Sequence, residues 1–297
     1  MNAMERLNQK IMEKNSRIVA GLDPTLDILP PELKPHSKDA ASEAKAIKTF
    51  CYQYVKAVAD YVPAIKINGH FFEKEKLQPI YREIARFAQN LDLFVIADLK
   101  RADIGSTSKA SAEAWLEDGQ PFDAMTVNPY LGTDGVKPFI EIAAENGKGV
   151  FILDKTSNKS SKEIQDKTLF ETRDYLYEHV ADLIESWGKI CPTDGRYSMV
   201  GAVVGATHPK EAALLRTRMK NTMFLVPGYG AQGATAEDVA VNFDEDGLGA
   251  IVNSSRGLMA AYKKEAYADL ALKDGWIAAT MQATKDAVKD INDVIKK

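Results

Sequence analysis

The strongest constraint on how this chain folds is an alternation that runs its whole length. Eight short runs rich in apolar and β-branched residues recur at 17–23, 64–68, 93–98, 124–128, 149–154, 199–205, 223–227 and 250–253. Segments with helical spacing follow them, at 40–60, 79–90, 108–118, 136–146, 168–187, 208–220, 235–243 and 258–264. Strands separated by helices imply right-handed crossovers and a parallel sheet. Eight such units predict an α/β fold of the (β/α)8 TIM barrel type. A doubly wound open sheet is the alternative, weakened because no Gly-x-Gly-x-x-Gly follows the first strand. Further helices are expected at 2–14 and 275–297, so that residues 1–297 make one barrel domain with extra N- and C-terminal helices.

Composition narrows the function classes. With 42 acids against 38 bases the net charge is -4, which gives no overall basic field for nucleic acid or an anionic membrane. No apolar stretch has the length of a membrane span, and the N-terminal residues lack the apolar core of a signal peptide. Two cysteines, Cys51 and Cys191, suggest no disulfide framework. These features predict a cytoplasmic protein that partners neither nucleic acid nor membrane. A small anionic substrate would need local basic groups.

In a barrel the reactive groups sit where strands end, on the carboxyl face. Asp23 ends the first run, Lys66 and Asn68 the second, and Asp98 the third, followed by Lys100 and Asp103. The fifth leads to Lys155, Thr156, Ser157 and Asn158, opening a long polar loop over 154–167. The seventh opens into Pro227-Gly228-Tyr229-Gly230-Ala231-Gln232-Gly233, and the eighth into Ser254-Ser255-Arg256. Strand alternation puts Asp98 and Lys100 on one side. A carboxylate and an ammonium facing a barrel mouth are costly unless paired or used. A solvated loop with an incidental ion pair is the other reading of Asp98, Lys100 and Asp103. Gly228, Gly230 and Gly233 let backbone N–H groups approach an anion, Gln232 adds a donor, and Arg256 offers a planar fork for phosphate. The last two loops are the usual phosphate site of barrels. A tight turn beside a surface arginine is the alternative. The four histidines, His36, His70, His179 and His208, are scattered and form no close-spaced set for zinc. No serine–histidine pair suggests nucleophilic catalysis.

These motifs together resemble the orotidine 5'-phosphate decarboxylase family. The resemblance runs from Gly21-Leu22-Asp23-Pro24 through Arg256-Gly257. It rests on Asp98-x-Lys100-x-x-Asp103-Ile104 with Thr107, on Thr156-Ser157-Asn158, on the 227–233 loop and on Ser254-Ser255-Arg256. The chain length and Thr126-Val127-Asn128-Pro129-Tyr130-Leu131-Gly132 are similar to the longer bacterial branch. Ala102 and Lys159 depart from the residues frequent there, which touches the loop geometry and not the named groups.

The resemblance implies roles. Lys100 is expected to protonate the pyrimidine carbon that loses carboxylate, with Asp98 and Asp103 flanking it and Lys66 completing the charge row. Asp23 is expected on a ribose hydroxyl and Ser157 on the pyrimidine. Gln232 and Arg256, with Gly230 and Gly233 of the loop, are expected on phosphate. Asp103, Ile104 and Thr107 are expected to enter a neighbouring subunit's site, making a homodimer with shared active sites. The substrate implied is the nucleotide orotidylate, converted to uridylate with no cofactor and no metal. Three rivals remain at this level: a magnesium-dependent sugar-phosphate decarboxylase or synthase of related barrel type, a Schiff-base aldolase using Lys100 or Lys155, and a non-catalytic nucleotide-binding barrel.

Overall fold

The computed structural model describes residues 1–192 and 195–295. Helix α1 (Ala3–Lys14) comes first, then β1 (Ile18–Leu22), α2 (Ala40–Val58) and β2 (Ala64–Asn68). Next are α3 (Gly69–Lys74), α4 (Gln78–Asn90), β3 (Phe94–Arg101), α5 (Gly105–Leu116), β4 (Ala124–Val127) and α6 (Thr133–Glu145). The series continues with β5 (Gly149–Leu153), α7 (Leu176–Trp187), β6 (Val200–Val203), α8 (Pro209–Arg218), β7 (Phe224–Pro227) and α9 (Ala236–Ala240). It ends with β8 (Ala250–Ser254), α10 (Arg256–Met259) and α11 (Glu265–Ile295). The eight strands are parallel and close in sequence order, with β8 paired to β1. The (β/α)8 barrel is therefore the observed fold, and the open-sheet alternative is not. Among the described residues no helix is long and apolar enough to cross a membrane.

The period-2 pattern of each strand sorts side chains into two cores. Odd and even positions split cleanly: Val95 and Ala97 pack outward under the helices, while Phe94 and Ile96 fill the barrel interior. Interior Val19, Ala64, Ala124, Phe151, Leu225 and Ile251 join them. The lower end is stoppered by α1, whose Ala3, Met4, Leu7 and Ile11 recur at helical spacing and belong to the same interior cluster. Asn2 caps this helix by accepting from the backbone N–H groups of Met4 and Glu5, and its amide donates to the Tyr197 carbonyl. Apolar layers thus fill the interior from below. What remains open is the carboxyl end, where the interior row continues as Lys66 on β2 and Asp98 on β3.

Three expectations need correction. The helix expected over 168–187 begins only at Leu176. Residues 168–175 fold instead into a turn closed by an antiparallel bridge between Thr168 and Tyr175, with Arg173 at φ 67°. Backbone hydrogen bonds close this turn in place of a helical ladder: the Leu169 N–H donates to Asp174 O at 2.8 Å and the Arg173 N–H to Leu169 O at 3.0 Å. The expected terminal helix at 275–297 starts at a kink at Gly275, which sits at φ 86°, but a further helical stretch from Glu265, not expected, leads into it. Its last two residues, Lys296 and Lys297, lie outside the described residues. The third strand runs on past Asp98 to Arg101, because its pairing with β4 is interrupted by a bulge.

Candidate active site

A cavity of about 480 Å³ opens at the carboxyl end of the barrel. Seven of the expected site residues line it: Asp23, Lys66, Asp98, Lys100, Ser157, Gln232 and Arg256. The floor is a row of alternating charge. Asp98 Oδ2 accepts from Lys66 Nζ at 2.7 Å, and Asp98 Oδ1 accepts from Lys100 Nζ at 2.6 Å. Lys66 and Asp98 are buried, whereas the Lys100 side chain is 43% exposed and faces the open cavity. Burial alone would neutralise both buried groups. Burial opposes the Asp98 charge, but the Lys66 and Lys100 cations outweigh it and hold the carboxyl well below the usual carboxylate range. Burial likewise opposes the Lys66 charge, and the carboxylates of Asp98 and Asp23 overcome it, raising its pKa above the ordinary lysine value. Lys66 and Asp98 are both ionised at neutral pH.

The walls come from the loops. Ser157 lies close against β6: a Cβ on Gly205 would sit 2.8 Å from the Ser157 Cα, so only glycine admits this approach. The Thr207 hydroxyl donates to the Ser157 carbonyl at 3.2 Å. The preceding Thr156 is braced by Gln165, whose carbonyl accepts from the Thr156 N–H at 3.0 Å and whose amide donates to its hydroxyl at 2.8 Å. Lys155 is not a site residue. It is fully buried, paired with Asp166 and 5.1 Å from the Tyr177 ring centroid, where it ties down the long loop. That removes Lys155 as a Schiff-base candidate.

On the opposite wall, the 227–233 loop turns through left-handed conformations at Gly228, Gly230 and Gly233. Gly228, Tyr229, Ala231 and Gln232 face the cavity, while Gly230 and Gly233 supply the turn and are not in its lining. Arg256 begins α10 beside them, exposed, and among the described residues no carboxylate pairs with it. An exposed guanidinium next to a glycine turn has the chemistry to accept an anion.

Asp103, Ile104 and Thr107 are all exposed and do not line the cavity of their own chain. Asp103 and Ile104 precede α5, so they do not lie on its first turn; only Thr107 does. Ile104 is 54% exposed, an uncommon setting for a large aliphatic side chain, and the Asp103 carboxylate accepts from the Ile104 N–H at 2.8 Å. Asn253, Ser255 and Tyr229, to which the sequence reading gave no role, also line the cavity. Asn253 Oδ1 and Asp23 Oδ1 are buried there without a hydrogen-bond partner among the described residues, and each can accept from a substrate hydroxyl. Asn253 closes the eighth run, so its place at a strand end was the available signal.

Fold and site together define a (β/α)8 barrel enzyme with a row of charged side chains on its cavity floor and an exposed arginine beside a glycine-rich loop. The family model for the orotidine 5'-phosphate decarboxylase / HUMPS family matches residues 16–271. An orotidine 5'-phosphate decarboxylase of Caldicellulosiruptor bescii is 39% identical over 285 residues, covering 91% of this chain and 93% of the relative. One of Rhodopirellula baltica is 39% identical over 296 residues, covering 96% and 97%. The structure of Leishmania donovani OMP decarboxylase superposes with a TM-score of 0.74 at 29% identity, each chain fully covered. The chain belongs to the orotidine 5'-phosphate decarboxylase / HUMPS family. It is a carboxy-lyase that decarboxylates orotidylate in pyrimidine biosynthesis.

Proposed function

We propose that Lys100 is the proton donor of this decarboxylation, that no cofactor takes part, and that the working unit is a cytoplasmic homodimer of single-domain barrels with shared sites. The observation that carries this reading is the Lys66–Asp98–Lys100 row on the cavity floor. Breaking the bond to the carboxylate leaves its electron pair on the ring carbon as carbon dioxide departs. An ammonium fixed beside that carbon stabilises the growing charge, then transfers its proton to form uridylate. Neutral Lys100 is reprotonated from solvent. Asp98 cannot be displaced, because both its oxygens are held by lysines. Placed about 4 Å from the substrate carboxylate at an effective dielectric of about 20, it would repel it by about 4 kcal/mol. That repulsion vanishes as carbon dioxide leaves. Phosphate binding at the far end holds the substrate against it.

Asp23 and Asn253, each with an unpaired buried oxygen, suit the ribose hydroxyls, and Ser157 suits the pyrimidine edge. Gln232 and Arg256 suit the phosphate, with the turn made by Gly230 and Gly233. The exposed Asp103, Ile104 and Thr107 are free to meet a neighbouring protomer.

Two experiments test this reading, both following the loss of orotidylate absorbance. Turnover is expected to persist after exhaustive chelation, since Asp98 is committed to two ammonium groups. Loss of activity restored by magnesium would favour the sugar-phosphate type of chemistry instead. Arg256→Ala is expected to weaken binding by about 1.5–3 kcal/mol, the loss of a hydrogen bond to a charged group, and to lower turnover as well. Gripping phosphate should close the glycine loop and exclude water. The control is orotidine, which lacks the phosphate. Equal damage to both substrates would show that Arg256 makes no phosphate contact.

A further inference from the structure

The bulge in β3 has one occupant opposite it. The pairing with β4 matches Ala97 to Met125 and resumes with Arg101 to Val127. The chain advances four positions on β3, from 97 to 101, and two on β4, from 125 to 127. Asp98, Leu99 and Lys100 therefore all lie opposite Thr126. An ordinary ladder would give the N–H groups of this stretch backbone carbonyls to bond. Here the Leu99 N–H and the Lys100 N–H both donate to Thr126 Oγ1, each at 2.9 Å. The Thr126 hydroxyl donates its own proton to Asp98 Oδ1 at 3.0 Å. One donor and two acceptor positions exhaust what a hydroxyl offers. The side chain is buried, and its β-branch restricts χ1, which keeps the oxygen aimed at the bulge.

Lys100 itself sits at φ 50°, the left-handed region that a side chain with a Cβ disfavours. Such a conformation persists only where the surroundings over-determine it. Thr126 holds the backbone end of Lys100 through its N–H. It also holds Asp98 Oδ1, the same oxygen that accepts from Lys100 Nζ at 2.6 Å. Both ends of the lysine are thereby tied to one hydroxyl.

We infer that Thr126 is a positioning residue, whose hydroxyl fixes the β3 bulge and so aims the Lys100 ammonium and the Asp98 carboxylate at the reacting carbon. This rests on the reading of Lys100 as proton donor. Thr126→Val keeps the shape and removes all three hydrogen bonds. Thr126→Ser keeps the hydroxyl. The valine variant should lose about 100-fold in kcat, the cost of a small misplacement of a reacting group. Its affinity for uridylate should stay near native, because the phosphate and ribose contacts lie elsewhere. The serine variant should recover most of kcat. Near-native kcat in the valine variant overturns the inference, as does equal impairment of valine and serine variants. So does a fall in uridylate affinity in step with kcat, which marks general disruption of the site. If the valine variant does not fold, Thr126→Cys carries the test, since a thiol is of similar size and a weak hydrogen-bonding group. It too should lose kcat while keeping uridylate affinity, and near-native kcat there overturns the inference. Near-native turnover in Lys100→Ala would overturn the proton-donor assignment and this inference with it. Near-native turnover in Thr126→Val alone leaves the proton donor in place.

Discussion

Lys100→Ala is expected to abolish measurable turnover, with kcat falling by about 10⁴-fold or more, the upper end of what a positioned general acid supplies. The loss should be large because the other lysine of the row cannot substitute. Lys66 is buried and committed to Asp98, while among the described lysines Lys100 alone presents an accessible ammonium to the open cavity. Removing it also leaves Asp98 Oδ1 with only the Thr126 hydroxyl, so the carboxylate is less fully neutralised beside an anionic substrate. Binding through the phosphate should partly persist, since Arg256 and the glycine loop are untouched. Steady-state turnover and uridylate affinity, measured on the same preparation, separate the two effects. Near-native turnover would remove Lys100 from the role of acid.

Mixing Lys100→Ala with Asp103→Ala is expected to restore activity that neither variant has alone. Asp103 lies three positions past Lys100, yet it is exposed, precedes α5 and does not line its own chain's cavity. A carboxylate so placed is free to complete a site on another protomer. In a two-fold dimer each chain would lend Asp103 to its partner. A mixed dimer then carries one site with both defects and one with neither. Under conditions that exchange subunits, activity should reappear at no more than about half of native per mixed dimer, one intact site of two. The check is to confirm exchange by mass and then assay. Exchange without recovery would assign Asp103 to its own chain.

The legibility of this chain followed the range of each signal. The strand at 64–68 was readable to the residue, because a short run buried on both faces is a local property of five consecutive residues. The stretch at 168–175 was misread for the same reason in reverse. It was read as the start of the helix that follows, but the Thr168–Tyr175 bridge and the left-handed Arg173 make it a turn. Asp98 and Lys100 were expected on one side by simple alternation. They do share a side, but by way of a bulge and a left-handed lysine. Gly230 and Gly233 were legible as turn glycines, and the structure places both at positive φ, outside the cavity lining, in the turn that presents Gln232.

The sequence by itself determined the barrel, the strand-end charge row and the glycine loop beside Arg256. Each is written in neighbouring residues as a periodicity or a short motif, and in a barrel every strand end reaches the same mouth. Tertiary structure alone decided the rest. Lys155 and Lys100 both lie at the carboxyl ends of strands, yet one is buried against Asp166 and the other faces the cavity. Thr126 is one more β-branched residue in its run until β3 is laid beside it, 26 to 28 residues away in the chain. Register between strands, and which polar groups a bulge leaves in need of a partner, depend on how distant segments meet. No local pattern carries that information.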